Sequence, residues 1–265
     1  MSKSSADIEK AIKKACSSDE AAPKRKHVRT LIVYTFDNKS AKSVFGGLQN
    51  FISVTSMKAD FDVDIKIFKM LIVLHKVLQE GHKSALSEGI RNMEWIHSIG
   101  ARYTNPGTSY GSLVHGYVNF ILSKLKFHKN NKGFSGTFEY EEYISLRTVD
   151  DPNEGYESIL DLLDLQRKLF KYSKIVFNNI SESEIRNECK ISSLVPLVSE
   201  SYGIYKFVTS MLRGMFKQSG DIDALYPLVE SFEKQHSDLF KFYSNCSSIS
   251  FLYSLITIPL LPVDP

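Results

Sequence analysis

Between Lys24 and Arg29 five of six residues are basic: Lys24, Arg25, Lys26, His27 and Arg29. Upstream stand three more cations, Lys10, Lys13 and Lys14. Pro23 suits the first position of a helix, where its missing N–H costs nothing. The apolar run that follows predicts a helix from Pro23 to about Phe36. A helix start carries the positive end of the backbone dipole and is stabilised by acids, yet these first turns hold cations and no acid. The free N–H groups of a helix start bind anions, phosphate above all. Cations placed there are destabilising alone but reinforce an anion site. Lys13 and Lys14, at the end of a short preceding helix, suit a helix C-terminus by themselves. A return turn at "SSDEAAP" would bring them back towards Lys24 to His27, and both clusters together make a cup for a highly charged anion. The competing reading is a solvated basic face.

Other patterns carry less chemistry. "GTSYG" (Gly107 to Gly111) matches a hydrolase nucleophile pattern around Ser109, but that motif needs a strand before the serine. "ARYTNP" is no strand, so Ser109 reads as a loop residue or helix cap. The seven histidines contain no H-x-x-x-H pair, and His75, on an apolar helix, reads as a core histidine. Glu139, Glu141 and Glu142 read as a solvated helix start. No phosphate-cradling glycine loop occurs. These patterns give no catalytic residue, metal site or cofactor.

The elements that must position the cup are helical. Of 265 residues, 43% are apolar and 24% charged, with net charge +3. Seven Lys/Arg against three acids between Glu9 and Arg29 give 7 − 3 = +4, leaving about −1 elsewhere. The basic character is thus N-terminal, which is not the profile of a general nucleic-acid binder. Three distant cysteines suggest neither disulfides nor zinc. No secretory leader is visible, and "MLIVL" is far short of a ~20-residue membrane span. The expectation is a reduced, soluble, cytosolic protein.

Helical spacing predicts a short amphipathic helix over about 4–16, in which Ile8 and Ile12 either dip into a headgroup layer or pack on the domain. Two isoleucines favour packing. A third helix is expected in "KSAKSVFGGLQNFI". "DVDIKIFKMLIVLHKVLQEG" should be a central buried helix, capped by Asp62 or Asp64 and ended by Gly81. Further helices are expected around "NMEWIHSI", "GSLVHGYVNFILSKLKFH" and "EYEEYISL", then from Tyr156, Ile191 and Asp223. Kinks or shortened first turns are expected at Pro196 and Pro227. Loops are expected over Thr104–Thr108, Asn130–Thr137 and Thr148–Gly155. One all-α domain with stacked hairpins follows.

Lys14, nine residues, Lys24, one residue, Lys26 and His27 fit K-x9-K-x-[KR]-[HY], the lipid-binding signature of ANTH domains. "FKMLIVLHKVLQEGH", "GTFEYEEYISL", "ECKISSLVPLVSESYGIYKFVTSMLR" and "TIPLLP" also resemble the ANTH domain of the huntingtin-interacting-protein-1-related endocytic adaptors in their fungal form. The resemblance implies one ANTH domain over residues 1–265, with its helical body over about 23–262. It would be a right-handed superhelical solenoid of about nine to ten helices, ENTH/VHS-like, and not an enzyme.

The resemblance further implies that Lys14, Lys24, Lys26 and His27 hold phosphatidylinositol 4,5-bisphosphate on the inner face of the plasma membrane at endocytic sites. Epsin-type ENTH domains are the implied co-assembling partner. Clathrin coat and actin would be reached through family regions absent from this chain. Lys10, Lys13, Arg25 and Arg29 are expected as secondary lipid or adaptor contacts, with Arg25 and Arg29 one turn apart on a face rotated from Lys24 and His27. The alternative is an α-helical scaffold whose patch binds an acidic protein. Nucleic acid is disfavoured, because no aromatic residue interleaves the cations between Lys10 and Arg29.

Overall fold

A computed structural model describes residues 5–56, 62–103, 109–139, 152–180, 187–219 and 222–263. Among them the chain is helical throughout, with no strand. The helices are α1 (Ser5–Ala15), α2 (Arg25–Asp37), α3 (Lys42–Ser56), α4 (Val63–Glu80), α5 (Ser84–Arg91), α6 (Met93–Ala101), α7 (Ser109–Asn130), α8 (Pro152–Asn178), α9 (Glu188–Ser192), α10 (Leu194–Ser219), α11 (Ile222–Ser247) and α12 (Ser250–Leu255). Ten of these span eight residues or more, which matches the expected number, and the fold is the all-α superhelical one.

The centre is α4, buried over most of its circumference as its sequence demands, and α7, α2 and α10 pack against it. α7 also carries α6 and α8, and α8 carries α10 and α11. The expectation of a core histidine at 75 is met. His75 Nε2 donates to Glu200 Oε1 at 2.8 Å, and its Nδ1 lies 2.9 Å from the Tyr117 hydroxyl, which donates to it. Glu200 Oε1 also accepts from Gln79 Nε2 at 2.9 Å and from the Lys124 ammonium. Burial pushes the Glu200 carboxyl up, but Lys124 and His75 outweigh this and hold it at about 2. Burial also lowers His75, which stays neutral. This knot joins α4, α7 and α10 through side chains that are wholly buried. Lys124 reaches on to the Gly136 carbonyl at 2.6 Å and so fastens the loop after α7. A Cβ at Gly136 would lie 2.2 Å from the Leu78 carbonyl oxygen, so only glycine lets that loop approach α4 so closely.

Several boundaries differ from expectation. The second helix starts at Arg25 and not at Pro23, which is buried in the preceding turn, while Lys24 is an extended N-cap. The third starts at Lys42, because Lys39 takes a positive φ of 49° and breaks the run from "KSAK". Pro152 opens α8, so the loop expected over Thr148–Gly155 is already helix at its end; a proline loses nothing at a first helical position. Pro196 stands in the first turn of α10 and Pro227 in the second turn of α11, and both helices run on past them. Ser109 is the first residue of α7. The helix expected at "EYEEYISL" beyond Glu139, with Glu141 and Glu142, and the loop at 104–108 lie outside the described residues.

Cys16, Cys189 and Cys246 are free thiols and all buried. Burial raises each well above the ordinary thiol range, Cys189 to about 12.

Candidate anion-binding site

α1 lies across α2, α3 and α4. Its apolar side is seated in the domain, with Ile8 2% and Ile12 1% exposed, which settles the choice made for this helix in favour of packing. Gly47 on α3 makes the seat, since a Cβ there would lie 2.8 Å from Ile12 Cδ1. With that side buried, Lys10, Lys13 and Lys14 are left exposed.

The turn from α1 to α2 is tied down at several points. The Ser17 hydroxyl donates to Asp19 Oδ1 at 2.7 Å. The wholly buried Lys69 of α4 pairs with the same carboxylate and donates to Ser17 Oγ at 3.2 Å. Those two contacts, Lys69 first, hold the Asp19 carboxyl below its ordinary value. The Cys189 amide of α9 donates to the Glu20 carbonyl at 2.9 Å. Asp19 is thereby paired first with Lys69, and Lys24 feels its charge only after that.

α2 then opens without an acid in its first turn and without a side-chain cap. The Lys24 carbonyl accepts from the amides of His27 (2.9 Å) and Val28 (3.3 Å). The amides of Arg25 and Lys26 make no hydrogen bond among the described residues, and they are the groups an anion would take. His27 is half-buried. Its pKa is lowered by that burial, then by Lys14, then by Lys26 and Lys24. One imidazole therefore feels three ammonium groups, contributed by two helices and the cap between them.

Lys10, Lys13, Arg25 and Arg29 do not act on His27 in this way. Lys13 lines a cleft of 390 Å³ between α1, α3 and α4. Arg25 and Arg29 line, with Lys26, a groove of 1140 Å³ whose far wall includes Val195 and Leu255. Arg25 spans its end: Nη2 donates to the Leu255 carbonyl at 2.7 Å, joining the start of α2 to the end of α12. Sequence reasoning missed Lys69 and this Arg25 contact. A lysine inside the apolar run "FKMLIVL" was the one available signal for the first; the second joins residues 230 apart and had none. Among the described residues no helix is long and apolar enough to cross a membrane, and no cluster of His, Cys, Asp or Glu could hold a metal ion.

Residues 7–265 match the family model of the ANTH domain. The protein SLA2 of Saccharomyces cerevisiae is 53% identical over 268 residues, covering 100% of this chain and 27% of that protein. The endocytosis protein end4 of Schizosaccharomyces pombe is 44% identical, covering 99% of this chain and 23% of its own length. The chain thus spans about a quarter of the length of these curated relatives. Among solved structures, a chain of the one described as the ENTH domain from epsin-2 in complex with phosphatidylinositol 4,5-bisphosphate superposes with TM-score 0.90 at 50% identity, covering 97% of both chains. A chain of the endocytic adaptor complex AENTH superposes with TM-score 0.83 at 52% identity, over 98% of this chain and all of that one. Helical ANTH and ENTH tubules on membranes containing the same lipid include a chain 53% identical, with TM-score 0.73, over 98% of this chain and 96% of that one. The family is one of endocytic adaptor modules, and by its sequence along nearly its whole length the chain belongs to the ANTH domain family.

Proposed function

We propose that this chain is a membrane-binding module that grips the headgroup of phosphatidylinositol 4,5-bisphosphate with Lys14, Lys24, Lys26, His27 and the open amides of the α2 start. The observation that carries this is the convergence of three ammonium groups on His27 at a helix start with no acid and no cap. The solved structures 50% and 53% identical to it contain that lipid, which supports the reading.

Lysines near an anionic surface contribute about 1 kcal/mol each, so the three supply roughly 3 kcal/mol. A 1 mM dissociation constant already needs about 4 kcal/mol. One module should therefore hold a membrane weakly, and stable recruitment requires many modules side by side. Co-assembly with ENTH domains meets that requirement, and chains 52% and 53% identical to this one occur in such assemblies. Arg25 and Arg29, facing the groove, are the residues assigned to the neighbouring adaptor or a second lipid. The site of action is the inner face of the plasma membrane, with coat and actin contacts made by other regions of the longer proteins.

Sedimentation with vesicles that hold or lack the bisphosphorylated lipid tests the headgroup site. Changing Lys24, Lys26 and His27 together to alanine removes about 2 kcal/mol and should weaken lipid-dependent binding roughly thirtyfold. Undiminished binding defeats the assignment, and no binding to either vesicle points instead to an acidic protein as the natural partner. Arg25→Glu with Arg29→Glu should reduce co-assembly with an ENTH domain more than it reduces vesicle binding alone. Equal losses would count against that division.

A further inference from the structure

The cup occupies one end of α2, and a second basic site lies at the other. There α2 ends beside the end of α4: the Phe36 and His82 rings meet edge-on at 5.9 Å, and the His82 amide donates to Thr35 Oγ1 at 2.9 Å. Phe36 is eleven helical residues from Arg25, about 17 Å at 1.5 Å per residue. A cleft of 1110 Å³ opens at this end. Its walls bring together four exposed lysines from separate elements: Lys42 at the start of α3, Lys83 just before α5, Lys129 at the end of α7 and Lys132 on the following loop. Two of the acids in the cleft are already committed, Glu80 to Lys76 at 2.7 Å and Glu88 to Arg91 at 2.6 Å. Glu139 is the third, and the four lysines have no ion pair among the described residues.

Neither α3 nor α5 has an acid in its first turn. Their first amides are already taken, that of Lys42 by Ser40 Oγ at 3.3 Å and that of Ser84 by His82 Nδ1 at 3.3 Å, so the cleft rests on its lysines and not on open helix starts. An independent feature points to a ligand. His128, only 3% exposed, forms part of the cleft floor, and neither of its ring nitrogens has a hydrogen-bond partner among the described residues. The Phe134 backbone lies near it but outside hydrogen-bond geometry. Burial first, then the Lys124 ammonium, holds the ring at about 3. It is therefore a neutral, unpartnered ring whose nitrogens lie sealed just beneath the cleft surface.

We propose that this cleft is a second anion site, distinct from the cup, which takes a multiply phosphorylated small molecule through Lys42, Lys83, Lys129 and Lys132 with His128 beneath. Four separated ammonium groups exceed what a single phosphate can satisfy, hence the clustered phosphates. The same chemistry is offered by a free inositol polyphosphate and by a headgroup on a second, facing membrane. A lipid held at the cup belongs to a bilayer at the opposite end of α2.

The test silences the cup first, with Lys24, Lys26 and His27 changed to alanine, and titrates inositol hexakisphosphate by calorimetry. Binding should persist. Adding Lys83→Glu, Lys129→Glu and Lys132→Glu should weaken it roughly tenfold or more, against about threefold or less for the same charge change at the exposed Lys174, Lys234 and Lys241. No binding to the cup-silenced protein, or equal losses from the two triple reversals, overturns the site. In the intact-cup protein the cleft substitutions should leave sedimentation with phosphoinositide vesicles in place, which shows that the variant is folded and separates this proposal from the first. Turbidity of those vesicles assigns the source: clustering that the cleft substitutions abolish identifies a facing membrane, and hexakisphosphate binding without clustering identifies a free polyphosphate.

Discussion

His27 resists protonation because its partial burial, then Lys14, Lys26 and Lys24, oppose a further positive charge. A bound polyphosphate reverses the sign of that field, so the pKa must rise on binding. Affinity for the headgroup should therefore grow as pH falls from about 7.5 to about 5.5, by roughly three- to tenfold for ~1 kcal/mol. Phosphate itself titrates with a second pKa of about 6 and weakens as a ligand over the same range. The contribution of the imidazole is then the difference between the wild-type protein and His27→Ala, read from headgroup titrations at both ends. Identical pH profiles would show that His27 does not meet the ligand. The four cations assigned to the cup stood out in the sequence because their spacing is local and because cations at an acid-free helix start conflict with the backbone dipole. Arg25 was legible as a cation but not as a tether, since its partner is a backbone carbonyl, and a carbonyl leaves no mark in a sequence.

At the scale of elements, the cup depends on the turn between α1 and α2, and that turn depends on α4. Lys69 is wholly buried and offsets the Asp19 carboxylate, whose charge Lys24 also feels. Lys69→Met, similar in length and apolar, would release that carboxylate while leaving the helix packed. The expected result is a loss of headgroup affinity of roughly three- to tenfold, the effect of restoring one negative charge beside the site, with α-helical circular dichroism unchanged. The helices themselves were readable from periodicity, and α4 most clearly, because a nearly continuous apolar surface permits only a central place. Their starts were less readable. Pro23 has the right conformation for a first helical residue, but burial in the turn places it two residues upstream of the helix, and Lys39 escapes the following helix through a positive φ that its residue type does not announce. The seating of α1 was weighed from two isoleucines alone, and the glycine that receives them is remote in sequence.

The molecule as a whole is held by the Glu200 knot. Its carboxylate, on α10, faces a buried ammonium from α7 and an imidazole and an amide from α4. Glu200→Gln removes the charge and leaves Lys124 buried without a counter-ion, which should cost about 3–5 kcal/mol in urea unfolding. The sign of the acid response follows from the lowered carboxyl. The stabilisation is present above the ordinary value of 4.5 and is lost as pH falls from there towards about 2, so unfolding under acid should shift to higher pH in the variant. None of this was visible beforehand. His75 could be read as a core histidine from its apolar helix, but Lys124 and Glu200 look like ordinary surface charges until folding brings them together. All three thiols are buried, one at the end of the first helix and two in the C-terminal half. Each is a silent reporter, because a maleimide can reach it only when its own part of the chain opens. Alkylation rates followed one cysteine at a time would therefore map, with no label introduced, which part of the molecule breathes first, and whether docking on a bilayer quiets the first of them more than the others.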